Sequence, residues 1–171
     1  QQTGPGYSGR DRQLAVKPPR RETTVVIDGS LDEPVWREAA VLTGFSQFQP
    51  QDGVPATDTT QVLVWYSSTA IYFGIRAWEP SARVRATLAR RDQIDQDDNV
   101  QILLGTFRDG RQATVFTVNP LGVQADGTLV EKSAVSGGFF AQIGAREAPD
   151  LSQDFVFQSK GHVTPEGYEV E

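Results

Sequence analysis

The 171-residue sequence predicts an all-β fold: an antiparallel β-sandwich with one short helix and an extended N-terminal arm. Three observations point there. From Thr24 onward, apolar runs of strand length recur along the chain. Gly, Pro, Asn and Asp cluster between those runs as turn signals. Helical signals are confined to short stretches. Many short strands with regular turns and little helix favour a sandwich over an α/β fold. The length suffices for one domain with its own core, and 38% hydrophobic residues suit a globular chain.

Residues 1–23 are polar and rich in Gly, Pro and Arg, with no helical or strand period, and read as an arm preceding a domain over 24–171. Such a segment buries too little apolar surface to order itself, so its own domain or a neighbour must hold it. Thr24-Val25-Val26-Ile27 reads as a short strand ending at Asp28-Gly29. Ser30-Leu31-Asp32-Glu33 has the form of a capping box with Pro34 in the first turn, which predicts a helix to about Ala40. Gly44 to Gln49 alternates as a strand does, and residues 50–60 form a loop. Gln61–Tyr66 and Ala70–Trp78 form a hairpin across Ser67-Ser68-Thr69. Arg83–Arg91 reads as one or two helical turns. Strands follow at Asn99–Gly105, Ala113–Asn119 and Gln124–Thr128, with a turn at Arg108-Asp109-Gly110. Residues 133–153 read as loop; Phe155–Lys160 and Tyr168–Glu171 read as closing strands around Pro165-Glu166-Gly167, with one further strand expected after Glu171.

Composition narrows the function classes. A net charge of -6 disfavours a nucleic-acid partner. No apolar run approaches the ~20 residues of a transmembrane helix. The absence of cysteine removes disulfides, thiolate catalysis and cysteine-bound metals. The chain holds no methionine and begins Gln1-Gln2-Thr3, which suggests removal of a secretory signal peptide and a periplasmic or extracellular location; tag cleavage would leave the same start. One histidine, His162, and no Gly-x-Ser-x-Gly elbow leave no motif for nucleophilic catalysis. No motif singles out a carboxylate pair for glycoside hydrolysis either. The expectation is a binding domain, not an enzyme.

Ile27-Asp28-Gly29-x-Leu31-Asp32-Glu33-x-x-Trp36, Ala70-Ile71-Tyr72-Phe73-Gly74 and the acidic loop Asp95–Asn99 leading into Val100–Leu104 resemble family 9 carbohydrate-binding modules. More closely, Pro50–Thr60, Arg90-Arg91-Asp92 and Asn119-Pro120-Leu121-Gly122-Val123-Gln124 resemble motifs in the N-terminal domain of large bacterial envelope proteins of unassigned function. The likeness runs from about Thr24 to Glu171, and it implies a carbohydrate-module-like sandwich. In those envelope proteins the domain precedes a region similar to an outer-membrane barrel, which is not in this sequence.

The resemblance implies a sugar site of aromatic and polar residues. Alternation in Ala70–Trp78 places Tyr72, Gly74, Arg76 and Trp78 on one face, where a sugar ring could stack, with Asn99 and Gln101 on a later strand adding hydrogen bonds. The family's site carries a glutamate at the position read here as Gln101. Equally, Tyr72 and Trp78 would simply cover the sandwich edge. Asp95, Asp97 and Asp98 are a candidate calcium cluster, implied by the structural calcium of sandwich modules; the alternative is a solvated loop. Related sandwich domains bind haem through histidine and methionine, a set this chain cannot complete. No other cofactor is expected.

Two functions compete. One is a carbohydrate-binding module. The other is an accessory subunit docked on a larger envelope assembly, respiratory or photosynthetic complexes included, through the arm and the sandwich surface. The arm carries Arg10, Arg12, Lys17, Pro18, Pro19, Arg20 and Arg21 against Asp11 and Glu22, so a basic arm on an acidic chain would steer toward an anionic protein surface or lipid headgroups.

Overall fold

A computed structural model describes residues 1–47, 50–106, 112–130 and 149–171. The chain is an all-β, sandwich-like fold of two sheets, one of six strands in the order β1-β2-β3-β4-β9-β8 and one of three in the order β5-β6-β7. The strands are β1 Gly6–Ser8, β2 Ala40–Thr43, β3 Thr59–Tyr66, β4 Ile71–Trp78, β5 Val100–Leu104, β6 Gln112–Val118, β7 Gln124–Val130, β8 Gly161–Thr164 and β9 Gly167–Val170. All pairings are antiparallel except β1 on β2, which is parallel.

The large sheet is covered on both faces. In β3 and β4, Leu63 faces the same way as Gly74, and Trp65 the same way as Tyr72. That face packs under Leu31, Val35, Trp36 and Ala39, so the segment before β2 forms a lid of apolar side chains. Trp36 and Trp65 meet edge to face at 6.0 Å and 76°. The opposite face presents Ile75, Tyr168 and Val170 to Val118 and Val100 of the small sheet. This second layer is the sandwich core.

The expected hairpin of β3 and β4 is present, with Ser67 donating its N–H to Ala70 O across the turn. Several other expectations need correction. Thr24–Ile27 belongs to no strand. Val25 and Ile27 do turn inward while Val26 points out, but no neighbouring strand pairs with them. Phe155–Lys160 behaves in the same way, and Gly161–Thr164 takes its place beside β9. Gly44–Gln47 holds only the isolated bridge Ser46↔Pro55; Phe48 and Gln49 lie outside the described residues. The helix is a 3-10 helix over Pro34–Glu38, whose N-cap Glu33 makes no side-chain capping bond. Ser30 instead gives its N–H to Asp28 Oδ1. Helix at Arg83–Arg91 shrinks to one 3-10 turn, Ser81–Arg83, followed by irregular chain. The turn at Arg108-Asp109-Gly110 and residues 133–148 of the expected loop lie outside the described residues.

The arm is held by the domain itself. Thr3 and Gly4 donate their N–H groups to Arg37 O, and Gln2 reaches the carbonyls of Trp36 and Ala39. β1 then adds an edge strand, and Gly9 N–H donates to Thr43 O. Farther on, Tyr66 N–H donates to Pro19 O and Arg21 N–H to Tyr66 O. Residues 2–9 and 19–21 are thus hydrogen-bonded to the domain.

Candidate functional site

The face proposed for sugar stacking is largely occupied by the chain's own residues. Tyr72 lies flat on Trp65, with ring centroids 3.9 Å apart and 5° between planes. Gly74 is buried, and a Cβ there would stand 2.7 Å from Leu31 Cδ2 and 3.0 Å from Trp36 Cζ3. The glycine gap therefore admits protein side chains. Arg76 donates to Glu169 Oε1 at 2.7 Å and to Leu31 O at 3.0 Å, so its cation is already paired. Trp78 alone of this face is exposed. Asn99 donates to Asp97 O, and Gln101 is exposed on β5. Gln101 sits on the other sheet from Tyr72 and Arg76, and Asn99 lies just before its strand.

The acidic loop works as a set of backbone acceptors. Asp98 Oδ2 accepts from Arg85 N–H at 2.7 Å, and Asp97 Oδ2 accepts from Thr87 N–H at 3.0 Å and from buried Asn119 Nδ2 at 2.8 Å. These bonds also explain the missing helix at Arg83–Arg91, because they take amides that a helix would use internally. Desolvation raises the Asp97 carboxyl, but the hydrogen bonds from Asn119 and Thr87 outweigh it and hold the group below the usual carboxylate range. Among the described residues, Asp95 accepts a side-chain hydrogen bond from its neighbour Gln96. Among the described residues, no group of three His, Cys, Asp or Glu side chains is gathered as a metal would require, so Asp95, Asp97 and Asp98 are not brought together.

The remaining motifs form a polar network. Asn119 Oδ1 accepts from Leu121 and Val123 N–H, turning the chain from β6 into β7. Arg91 binds Gln124 Oε1 at 2.8 Å, Phe155 O at 3.0 Å and the buried Asp126. Asp92, at φ 64°, accepts Asp126 N–H through Oδ1. Arg90-Arg91-Asp92 and Asn119–Gln124 thus lock the small sheet to the 153–159 segment.

Two clefts remain. One, of about 600 Å3, lies between the arm and the end of β2 and is lined by Tyr7, Arg10, Arg12, Leu14, Val16 and Phe45 among others. Gln13 N–H donates to Ser8 O, and Gln13 Oε1 accepts from Ser8 N–H, closing a tight turn with Arg12 at φ 57°. That turn carries Arg10 and Arg12, which are exposed, as is Lys17 beyond it; Leu14 is 81% exposed. Arg20 and Arg21 are paired instead, with Glu22 and Glu38. Pro18 and Pro19 lead into the Tyr66 contact.

The second cleft, of about 550 Å3, opens between the two sheets. Ile71, Phe73, Ile102, Phe116 and Phe157 line it, and Glu171 is its buried acid. No sequence motif marks Glu171, and its burial arises only when β9 enters the sheet. The chain matches no family model, no curated protein and no solved structure. The family likeness therefore rests on the motifs alone. The class defined by fold and site is an all-β sandwich-like domain with a basic arm surface and an apolar cleft between its sheets.

Proposed function

We propose that the chain is a non-catalytic binding domain, an accessory subunit that docks on an anionic surface of a larger membrane-associated complex facing the periplasm or cell exterior. The observation that carries this reading is the geometry of the arm. It is fixed to the sheet at both ends, and between them Arg10, Arg12 and Lys17 are exposed, as is Leu14. None of the three cations has an ion-pair partner among the described residues. On a chain of net charge -6, this local basic patch orients approach to an anionic partner. Fixing the arm beforehand removes an ordering cost of roughly 1–2 kcal/mol per residue from the docking step. The glycan reading has less support, since Trp78 is the one member of its aromatic face that is open to solvent.

The test is co-sedimentation with envelope membranes of the source cell. The full chain should bind, and the triple variant Arg10→Glu, Arg12→Glu, Lys17→Glu should lose at least tenfold in bound fraction. Wild-type binding should weaken steeply with salt. Unchanged binding of the variant overturns the reading. Capture by a glycan that is lost in Trp78→Ala would favour the carbohydrate module instead.

A further inference from the structure

Glu171 is 7% exposed, and its two carboxylate oxygens differ. Oε2 accepts the N–H groups of Asp28 at 3.1 Å and Gly29 at 3.3 Å. Oε1 is buried with no hydrogen-bond partner among the described residues. Buried polar atoms are nearly always paired in folded proteins, so an orphan of this kind calls for a partner. The backbone around it is fixed, with Glu171 and Lys160 exchanging both N–H···O bonds at 2.8 and 3.0 Å.

The surroundings state what that partner would be. The cleft beside Glu171 is lined by Ile71, Phe73, Ile102, Leu104, Phe116 and Phe157, and about 550 Å3 lies in the range of ligand pockets. Among the described residues, no Lys or Arg lines it. The charged groups acting on Glu171 are Glu33 and Asp28, both acidic, and the Lys160 side chain makes no ion pair among the described residues. A carboxyl in a locally negative, apolar place is complementary to a cation on an apolar body.

We infer that the cleft between the sheets binds an elongated apolar molecule bearing a protonated amine, with Glu171 Oε1 accepting from the ammonium group. The apolar body lies between the inner faces of β4 and β5, and the amine supplies the missing partner. This site is separate from the arm surface and stands or falls without it.

The experiment is calorimetric titration of the full chain with decylammonium, decanol and decanoate below their aggregation limits. Decylammonium should bind at least tenfold more tightly than decanol, and decanoate should not bind. Glu171→Gln should weaken decylammonium at least tenfold and leave decanol unchanged. Ile102→Trp, which fills the cleft, should abolish binding of both. Equal affinity for the amine and the alcohol, or no saturable binding by either, overturns the inference. So does an unchanged amine affinity in Glu171→Gln. Should a variant not fold, the headgroup order on the wild type decides alone. Arg10→Glu, Arg12→Glu, Lys17→Glu should leave amine binding unaltered, which separates this site from the docking surface.

Discussion

Burial pushes the Glu171 carboxyl up to about 7; the Gly29 and Asp28 amides pull it down, and the nearby Glu33 and Asp28 charges push it up by less than those amides take away. The sign follows from linkage. A carboxyl raised in the folded state holds its proton there while the unfolded chain has already lost it. Stability that this group supports is therefore present at low pH and is lost as pH rises between its ordinary 4.5 and about 7. The loss is ~3 kcal/mol at most, since each pH unit of that window is worth about 1.4 kcal/mol. Urea denaturation across pH 4 to 8 should show wild type losing stability relative to Glu171→Gln over that window, and parallel curves would contradict the assignment. Arg91 offers a second residue-scale test. Its guanidinium faces Asp126, whose side chain is wholly buried, and Phe155 N–H supplies the other contact. Arg91→Ala should cost about 2–3 kcal/mol in urea denaturation, because it leaves a buried carboxylate without its cation.

At the scale of elements, the arm behaves as part of the sheet. Gly4 sits where a Cβ would run into the carbonyl oxygens of Ala39 and Glu38. Gly4→Ala should therefore pry the arm from the 3-10 helix, lowering Tm by about 3–6 °C by calorimetry, as a loss of ~1.5 kcal/mol would. The pattern of elements is legible in sequence where alternation coincides with ladder pairing, as in β3, β4, β5 and β6. It misleads at Thr24–Ile27 and Phe155–Lys160, where alternation is real but reports only which side chains face the core. At Phe157 the chain is fastened by Gln124 Nε2 donating to its carbonyl, a side-chain bond that no periodicity reveals. β1 escapes sequence reading for the opposite reason: Gly6–Ser8 has no apolar alternation, and its backbone pairing with β2 alone makes it a strand. Tyr72, Gly74, Arg76 and Trp78 do share one face, as alternation predicts, but its covering by Leu31 and Trp36 depends on contacts far apart in sequence. Arg10, Arg12 and Lys17 are legible as an arm cluster from composition, whereas Glu171 is not, because burial by distant segments is what marks it.

At the scale of the molecule, two surfaces of different chemistry result. The aromatic layer under Leu31 and Trp36 is closed on itself, while the space between the sheets is open and apolar and the arm surface is open and basic. The contacts of Arg91 with Asp126 and of Asn119 with Asp97 tie the small sheet to the segments that flank it. The proposed docking brings partners against the arm. A photo-crosslinking amino acid placed at Leu14, 81% exposed within the basic turn, tests it most directly against the same residue placed at Leu88, 85% exposed outside the arm. In envelope membranes a discrete crosslinked protein should form from position 14, absent from position 88 and lost when Arg10, Arg12 and Lys17 are reversed to Glu. Crosslinking that is absent from position 14, or equal at both positions, would contradict it.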